Sequence, residues 1–273
     1  MRGKSIFNLF IGYLILLAWN SNKPVYSSIR ILNCTGSIPQ KTACIVKASS
    51  FKVKVKRIDI CQKNPLPNYR IKPDFIRSKC INLLNNKVNA ENLLNTIQKY
   101  EIPQNLPIDD GNYRYISILF ENKFIVSGAY SANNYFWTTS NKGPKDIIQS
   151  KSKISNPTEF TTKLKNWRGK ENLDNKYCKN KGGTASRCDL QYNGYEMSGI
   201  GLDSDYVETS GKKIKFIFFT SELSPMMNLN QESKGYIDIN LKKNLEIFGN
   251  GSEVRSISIA PFEFQTRFIN EGK

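Results

Sequence analysis

The chain has 273 residues, with 40 Lys and Arg against 23 Asp and Glu, and a formal charge of +17. Its 39% apolar and 11% aromatic content suffices for a packed core and excludes a disordered chain. Histidine is absent, which excludes a Ser-His-Asp triad and imidazole-based metal sites.

Met1-Arg2-Gly3-Lys4 makes a short basic start, and an apolar run from Ile6 to Trp19 follows, broken only by Asn8 and Gly12. The run has the length of a signal-peptide core and is short for a membrane-spanning helix. Val25-Tyr26-Ser27 supplies an imperfect cleavage site, so residues 1–27 are expected to be a signal peptide and residues 28–273 the mature chain. An uncleaved N-terminal membrane anchor is the competing reading. Cleavage removes Arg2, Lys4 and Lys23 and no acid, so +17 falls to +14. The expectation is an exported protein, periplasmic, secreted or at the cell surface, with no transmembrane span in the mature chain.

Six cysteines follow the leader: Cys34, Cys44, Cys61, Cys80, Cys178 and Cys188. An even number in an oxidising compartment reads as a disulfide framework. No Cys-x-x-Cys occurs, which speaks against both zinc and redox chemistry. The most local pairing is Cys34–Cys44, Cys61–Cys80 and Cys178–Cys188. The last would staple a hairpin around Gly182-Gly183.

Phe51, Val53 and Val55 alternate with Lys52, Lys54 and Lys56, a half-buried strand with a basic outer face. The apolar phase then slips to Ile58 and Ile60, which predicts a bulge near Lys56-Arg57. Leu93, Leu94, Ile97 and Tyr100 have helical spacing behind a potential Asn89 cap. Tyr113–Phe120 and Lys123–Gly128 read as a hairpin turning at Glu121-Asn122. Asn156-Pro157-Thr158-Glu159 reads as the start of a second short helix carrying Phe160, Leu164 and Trp167. Residues 138–157, rich in Ser, Lys and Asn, read as a long loop. Strands are expected over Lys213–Thr220, Gly235–Leu241, Leu245–Phe248, Glu253–Ile259 and Phe262–Phe268, with Gly249-Asn250-Gly251 as a hairpin turn. These elements predict a mainly β fold: an antiparallel β-sandwich with two short helices and disulfide-stapled loops. Residues 28–273 are expected to form a single domain with a loop and helix insertion around 138–200.

The order Val55–Cys61, Cys80, Leu106–Leu119, Cys178–Cys188 and Ile214–Phe219 resembles a group of uncharacterised exported β-sandwich proteins of environmental bacteria. In that group a VxxVELC strand, a later Cys, a GLPxGxYTxVRV strand, a Cys-bearing hairpin and an IxIxF strand recur in that order. The resemblance implies export and a β-sandwich, and it brings no activity with it.

Several clusters could carry chemistry, each with a structural counterpart. Asp203, Asp205 and Glu208 offer oxygen ligands for calcium but lack the rest of a calcium loop, so a solvated turn is the better reading. Asp109-Asp110 could be half of a glycosidase pair, yet turn chemistry explains it. Ser150 and Lys153 match a Ser-x-x-Lys spacing inside the Ser/Lys-rich loop. Tyr130, Tyr135 and Trp137, with Asn133 and Asn134 between them, suit either sugar rings or a buried aromatic strand. The Lys52-Lys54-Lys56 face reads as a protected edge or a basic patch. No catalytic residue, metal ligand or cofactor site is assigned. The function expected is that of an exported structural or binding protein without enzymatic activity, its ligand an anionic polysaccharide or the cell-envelope surface and not nucleic acid. An exported hydrolase of cell-envelope polymer, working through carboxylates, is the alternative.

Overall fold

The computed structural model describes residues 33–67, 71–84, 98–101, 109–164, 178–181, 184–192, 195–230, 235–242, 244–259 and 263–270. The expected signal peptide and most of the Asn89–Tyr100 helix lie outside them. The first strands in chain order are β1 (Gln40–Lys47), β2 (Ser50–Cys61), β3 (Cys80–Asn82), β4 (Gln98–Glu101) and β5 (Gly111–Ser127). Next come β6 (Ala129–Ala132), β7 (Tyr135–Ser140), β8 (Gly143–Ser150), β9 (Phe160–Thr162), β10 (Cys178–Lys181) and β11 (Thr184–Tyr192). The chain closes with β12 (Tyr195–Leu202), β13 (Phe216–Leu229), β14 (Gly235–Lys242), β15 (Asn244–Asn250), β16 (Val254–Ile259) and β17 (Glu263–Asn270).

All pairings between these strands are antiparallel. The main sheet runs β10-β11-β12-β13-β5-β2-β3, with β9 paired to β5, and three-stranded sheets form as β1-β15-β16, β17-β14-β4 and β6-β7-β8. One buried cluster joins the sheets: Phe51, Val53, Ile58, Ile60, Phe124 and Ile217 of the main sheet share it with Ile247, Ile257, Ile237 and Trp137 of the smaller ones. A second, smaller cluster lies on the other face of the main sheet, where Leu119, Ile200, Leu202 and Phe218 pack with Leu66 and Phe75. Phe218 and its neighbours Ile217 and Phe219 thus serve different cores, which explains why this strand is apolar without alternation.

Two disulfides tie loops to this frame. Cys34–Cys44 spans a Cα–Cα distance of 5.0 Å, and Cys61–Cys80 spans 4.1 Å between cross-strand partners of β2 and β3. The second bridge closes the segment that carries Leu66 and Phe75 over the smaller cluster. Cys178 lies directly opposite Cys188 in the β10–β11 register, and its side chain lies outside the described residues.

The β2 alternation is as predicted, with Phe51, Val53 and Val55 buried and the three lysines exposed. The register with β5 slips between Val55 and Arg57, where the bulge was expected. The hairpin at Glu121-Asn122 is not formed. β5 runs straight through as one 17-residue strand that spends Glu121, Asn122 and Lys123 opposite the single residue Lys54. The physical reason is Asn122. Its side chain is 3% exposed; Nδ2 donates to the Leu164 carbonyl at 2.8 Å and the Ile214 carbonyl at 3.1 Å, and Oδ1 accepts from Leu164 N at 2.7 Å. These bonds sit where the partner of β5 changes from β13 to β9, so backbone groups left over at the junction are satisfied by one amide.

The two short helices are not supported. Phe160–Thr162 is a strand paired with Phe124–Val126, and Phe160 is buried against the main core, so tertiary packing overrides the Asn156-Pro157 cap. Gln98–Glu101, the end of the other expected helix, pairs with β14. Among the described residues the one helical element is the 3-10 turn Gly211–Lys213. Part of the expected loop at 138–157 is strand β8, which buries no residue fully and therefore carries no apolar alternation to read. The hairpin at Gly249-Asn250-Gly251 forms as expected, with Asn250 Oδ1 accepting from Ser252 N at 3.1 Å and Glu253 N at 2.8 Å.

Candidate functional site

The outer face of the main sheet has two halves, set by the phase slip in β2. Beyond the slip, Arg57 and Asp59 point to the side covered by the disulfide-closed loop. Asp59 is 1% exposed, and Arg57 Nε donates to its oxygens at 2.7 and 2.8 Å. The guanidinium also lies 4.0 Å over the Phe75 ring, which meets Phe218 edge-on at 5.8 Å. Burial raises the Asp59 pKa from 3.8 to about 6, only partly offset by the bonds and charge of Arg57 and by Ser117, its cross-strand neighbour. This is a closed structural cluster: a carboxylate so covered has no route to a solvent-borne substrate.

Before the slip the face is open. Lys52, Val53 and Lys54 of β2, with Glu121, Lys123 and Ile125 of β5, line a groove of 230 Å³. Lys52 Nζ lies 2.9 Å from Glu159, which is also hydrogen-bonded by Ser50; these contacts hold the Glu159 pKa below its usual value. Lys56 Nζ lies 2.8 Å from Glu121. Among the described residues Lys54 and Lys123 have no ion-pair partner. The bulge creates this arrangement: the residues that turn Asn122 inward turn Glu121 and Lys123 outward beside Lys54. The groove is smaller than the 300–1,000 Å³ of most small-molecule pockets and suits a segment of a chain better than an engulfed ligand.

The aromatic stretch lies elsewhere. Tyr130 and Trp137 are 6% and 5% exposed and belong to the main core. The Tyr130 hydroxyl donates to the Ser37 carbonyl, its pKa raised by burial, and Trp137 Nε1 donates to the Ala132 carbonyl at 3.4 Å. Tyr135 is half-buried and packs edge-on to Trp137 at 6.3 Å. Of the three rings that suited either sugar or a buried strand, Tyr130 and Trp137 are thus spent on packing. Asp203 Oδ1 accepts from Asp205 N at 2.9 Å and Val207 N at 3.0 Å, the geometry of a self-capped turn. Asp109 pairs with Lys79 at 3.1 Å. Ser150 Oγ accepts from Ser152 N at the exposed end of β8, and Lys153 is exposed. Among the described residues no three of His, Cys, Asp and Glu gather as a metal site. Likewise among them, no helix is long and apolar enough to cross a membrane.

The strand pattern offered Lys52, Lys54 and Lys56 as a basic face but not Lys123 or the two glutamates, which the bulge and the residue just before β9 deliver. Comparison of the chain with protein-family models, with curated proteins and with solved structures finds no match.

Proposed function

We propose that this is an exported structural or binding protein of the cell surface or extracellular space, with anionic polysaccharide as its ligand. The observation that carries the reading is the cation-lined open groove on β2 and β5. The two disulfides support export, since such bonds persist in oxidising compartments. The N-terminal apolar run is read as a cleaved signal and Cys178–Cys188 as a third bridge. The sheets that share the main cluster are read as layers of a sandwich, as in the exported proteins that the chain resembles. A carboxylate-based hydrolase needs a second carboxylate within about 5–9.5 Å of the first. The groove supplies Glu121, already engaged by Lys56, and so gives that alternative no particular support.

Secreted material tests both halves of the proposal. Its mass should begin near Ser28, and it should be retained on sulfated or carboxylated polymer and eluted by salt, because exposed charges are screened over about 10 Å at 0.1 M. Retention of residues 1–27, or equal passage over acidic and neutral polymer at low salt, would overturn the proposal.

A further inference from the structure

Along one face of a strand, successive outward side chains stand about 6.7 Å apart. Lys52, Lys54 and Lys56 all stand exposed on one face of β2 as a row of cations, and the structure treats its members unequally. The two outer lysines are neutralised in place, Lys52 by Glu159 and Lys56 by Glu121. Among the described residues the central Lys54 has no ion-pair partner, and it lines the groove with Lys123, which the bulge brings from the neighbouring strand. Resting on the reading of the protein as a polyanion binder, we propose that Lys54 and Lys123 form the primary subsite for one carboxylate or sulfate of the polymer, and that Glu121 and Glu159 are built-in competitors for Lys56 and Lys52.

The chemistry follows from charge alone. A linear polyanion laid along β2 meets its first uncompensated cations at the groove centre. To extend its contact to either side it must displace an internal carboxylate. The two glutamates thus set a threshold. A single small anion engages only the centre, whereas a polymer with repeated charge recovers the loss at the ends by binding several sites at once. The concavity favours a chain over an anionic membrane, which would need a convex or flat basic face with apolar side chains to insert. Here Val53 is buried and Ile125 is half-buried.

The experiment uses the full mature chain with dextran sulfate, polygalacturonate, neutral dextran and vesicles rich in phosphatidylserine, at low and high salt. K54A/K123A should weaken binding to both acidic polymers about five- to tenfold, the worth of two exposed charge contacts. E121Q/E159Q should strengthen it by a similar factor and make it more salt-sensitive, because more phosphate-like contacts then release counterions. Unchanged circular dichroism and a cooperative melting transition above the assay temperature establish that the variants are folded. Acidic-polymer binding that ignores both double variants overturns the subsite while leaving the polyanion reading intact. Absence of binding by the parent protein to either polymer overturns both. Tighter binding to vesicles than to polymer overturns the choice of ligand, and glutamine variants that weaken binding overturn the role of the glutamates.

Discussion

Asn122→Ala removes the amide that closes the junction between β13 and β9. The side chain makes three hydrogen bonds at 2.7, 2.8 and 3.1 Å, all to main-chain groups, and it is 3% exposed. A typical bond of this kind contributes about 1 kcal/mol net, and each backbone group left without a partner costs about 1–3 kcal/mol. Water can reach some of the vacated space, so the expected loss is about 3–4 kcal/mol rather than the sum of the upper bounds. Urea unfolding followed by tryptophan fluorescence measures it, with the midpoint falling and the slope unchanged. Asn122→Asp is the sharper control. It keeps the acceptor for Leu164 N but sets a carboxylate against the Leu164 and Ile214 carbonyls, and should cost at least as much as alanine. A loss below about 1 kcal/mol for Ala, or an Asp variant as stable as the parent, would show that the junction holds without this side chain.

Asp59 gives a pH signature. Its folded pKa of about 6 lies above the ordinary 3.8, so its contribution is fully present below pH 3.8 and is lost as pH rises through about 6. The difference corresponds to about 3 kcal/mol. Asp59→Asn should therefore gain stability relative to the parent across that window, read as the difference between two pH–stability curves. A constant difference would mean that Arg57 fully offsets burial. Glu159 acts in the opposite direction: its lowered pKa stabilises the fold above the unfolded value and is lost on acidification, so only the difference curve isolates Asp59. Gly249→Ala should cost about 1–3 kcal/mol, since a Cβ there would meet Ile38 Cγ2 at 2.4 Å, Glu253 O at 2.8 Å and Pro39 O at 2.9 Å. Unchanged thermal stability would show that the β15–β16 turn yields freely. Alkylation of secreted protein without reductant should label no thiol, and a peptide joining Cys178 to Cys188 should appear on digestion; a labelled thiol at either position rejects the third bridge.

What could be read from sequence follows the reach of each interaction. The β2 alternation and its slip were legible because a strand with one buried face repeats every two residues, and a change of phase leaves a mark in the same strand. The Asn250 turn was legible because its hydrogen bonds stay within three residues. Glu121-Asn122 and Asn156-Pro157 mislead for the converse reason. A polar pair between apolar runs has the composition of a turn, but the partners of Asn122 lie 42 and 92 residues away. The cap signal before Phe160 is equally local, whereas its burial is decided by strand β5. Strand β8 left no signal because no residue of it is fully buried. Tyr130 and Trp137 showed the ambiguity of aromatic residues, which serve a core and a sugar platform with the same composition.

The bulge in β5 joins these two themes. A regular β5 would place a single residue opposite Lys54; three stand there instead, and each has a different use. Asn122 turns inward and satisfies the junction, so the irregularity is stabilised from within. Glu121 and Lys123 turn outward, one reducing the charge at Lys56 and the other adding to it beside Lys54. On a chain of strong net positive charge, a bare row of lysines would repel itself and destabilise the strand that carries it. Two internal carboxylates relieve that repulsion at the ends of the row and leave its centre available. The same geometry thus reconciles folding with attraction to a polyanion: the charge that would be costly in the free protein is offset at Lys52 and Lys56, and the part that has no ion-pair partner among the described residues lines the groove. Loss of Asn122 should accordingly disturb more than stability. If the bulge relaxes toward a regular strand, Lys123 leaves Lys54, and polyanion affinity should fall under conditions in which the variant is still fully folded.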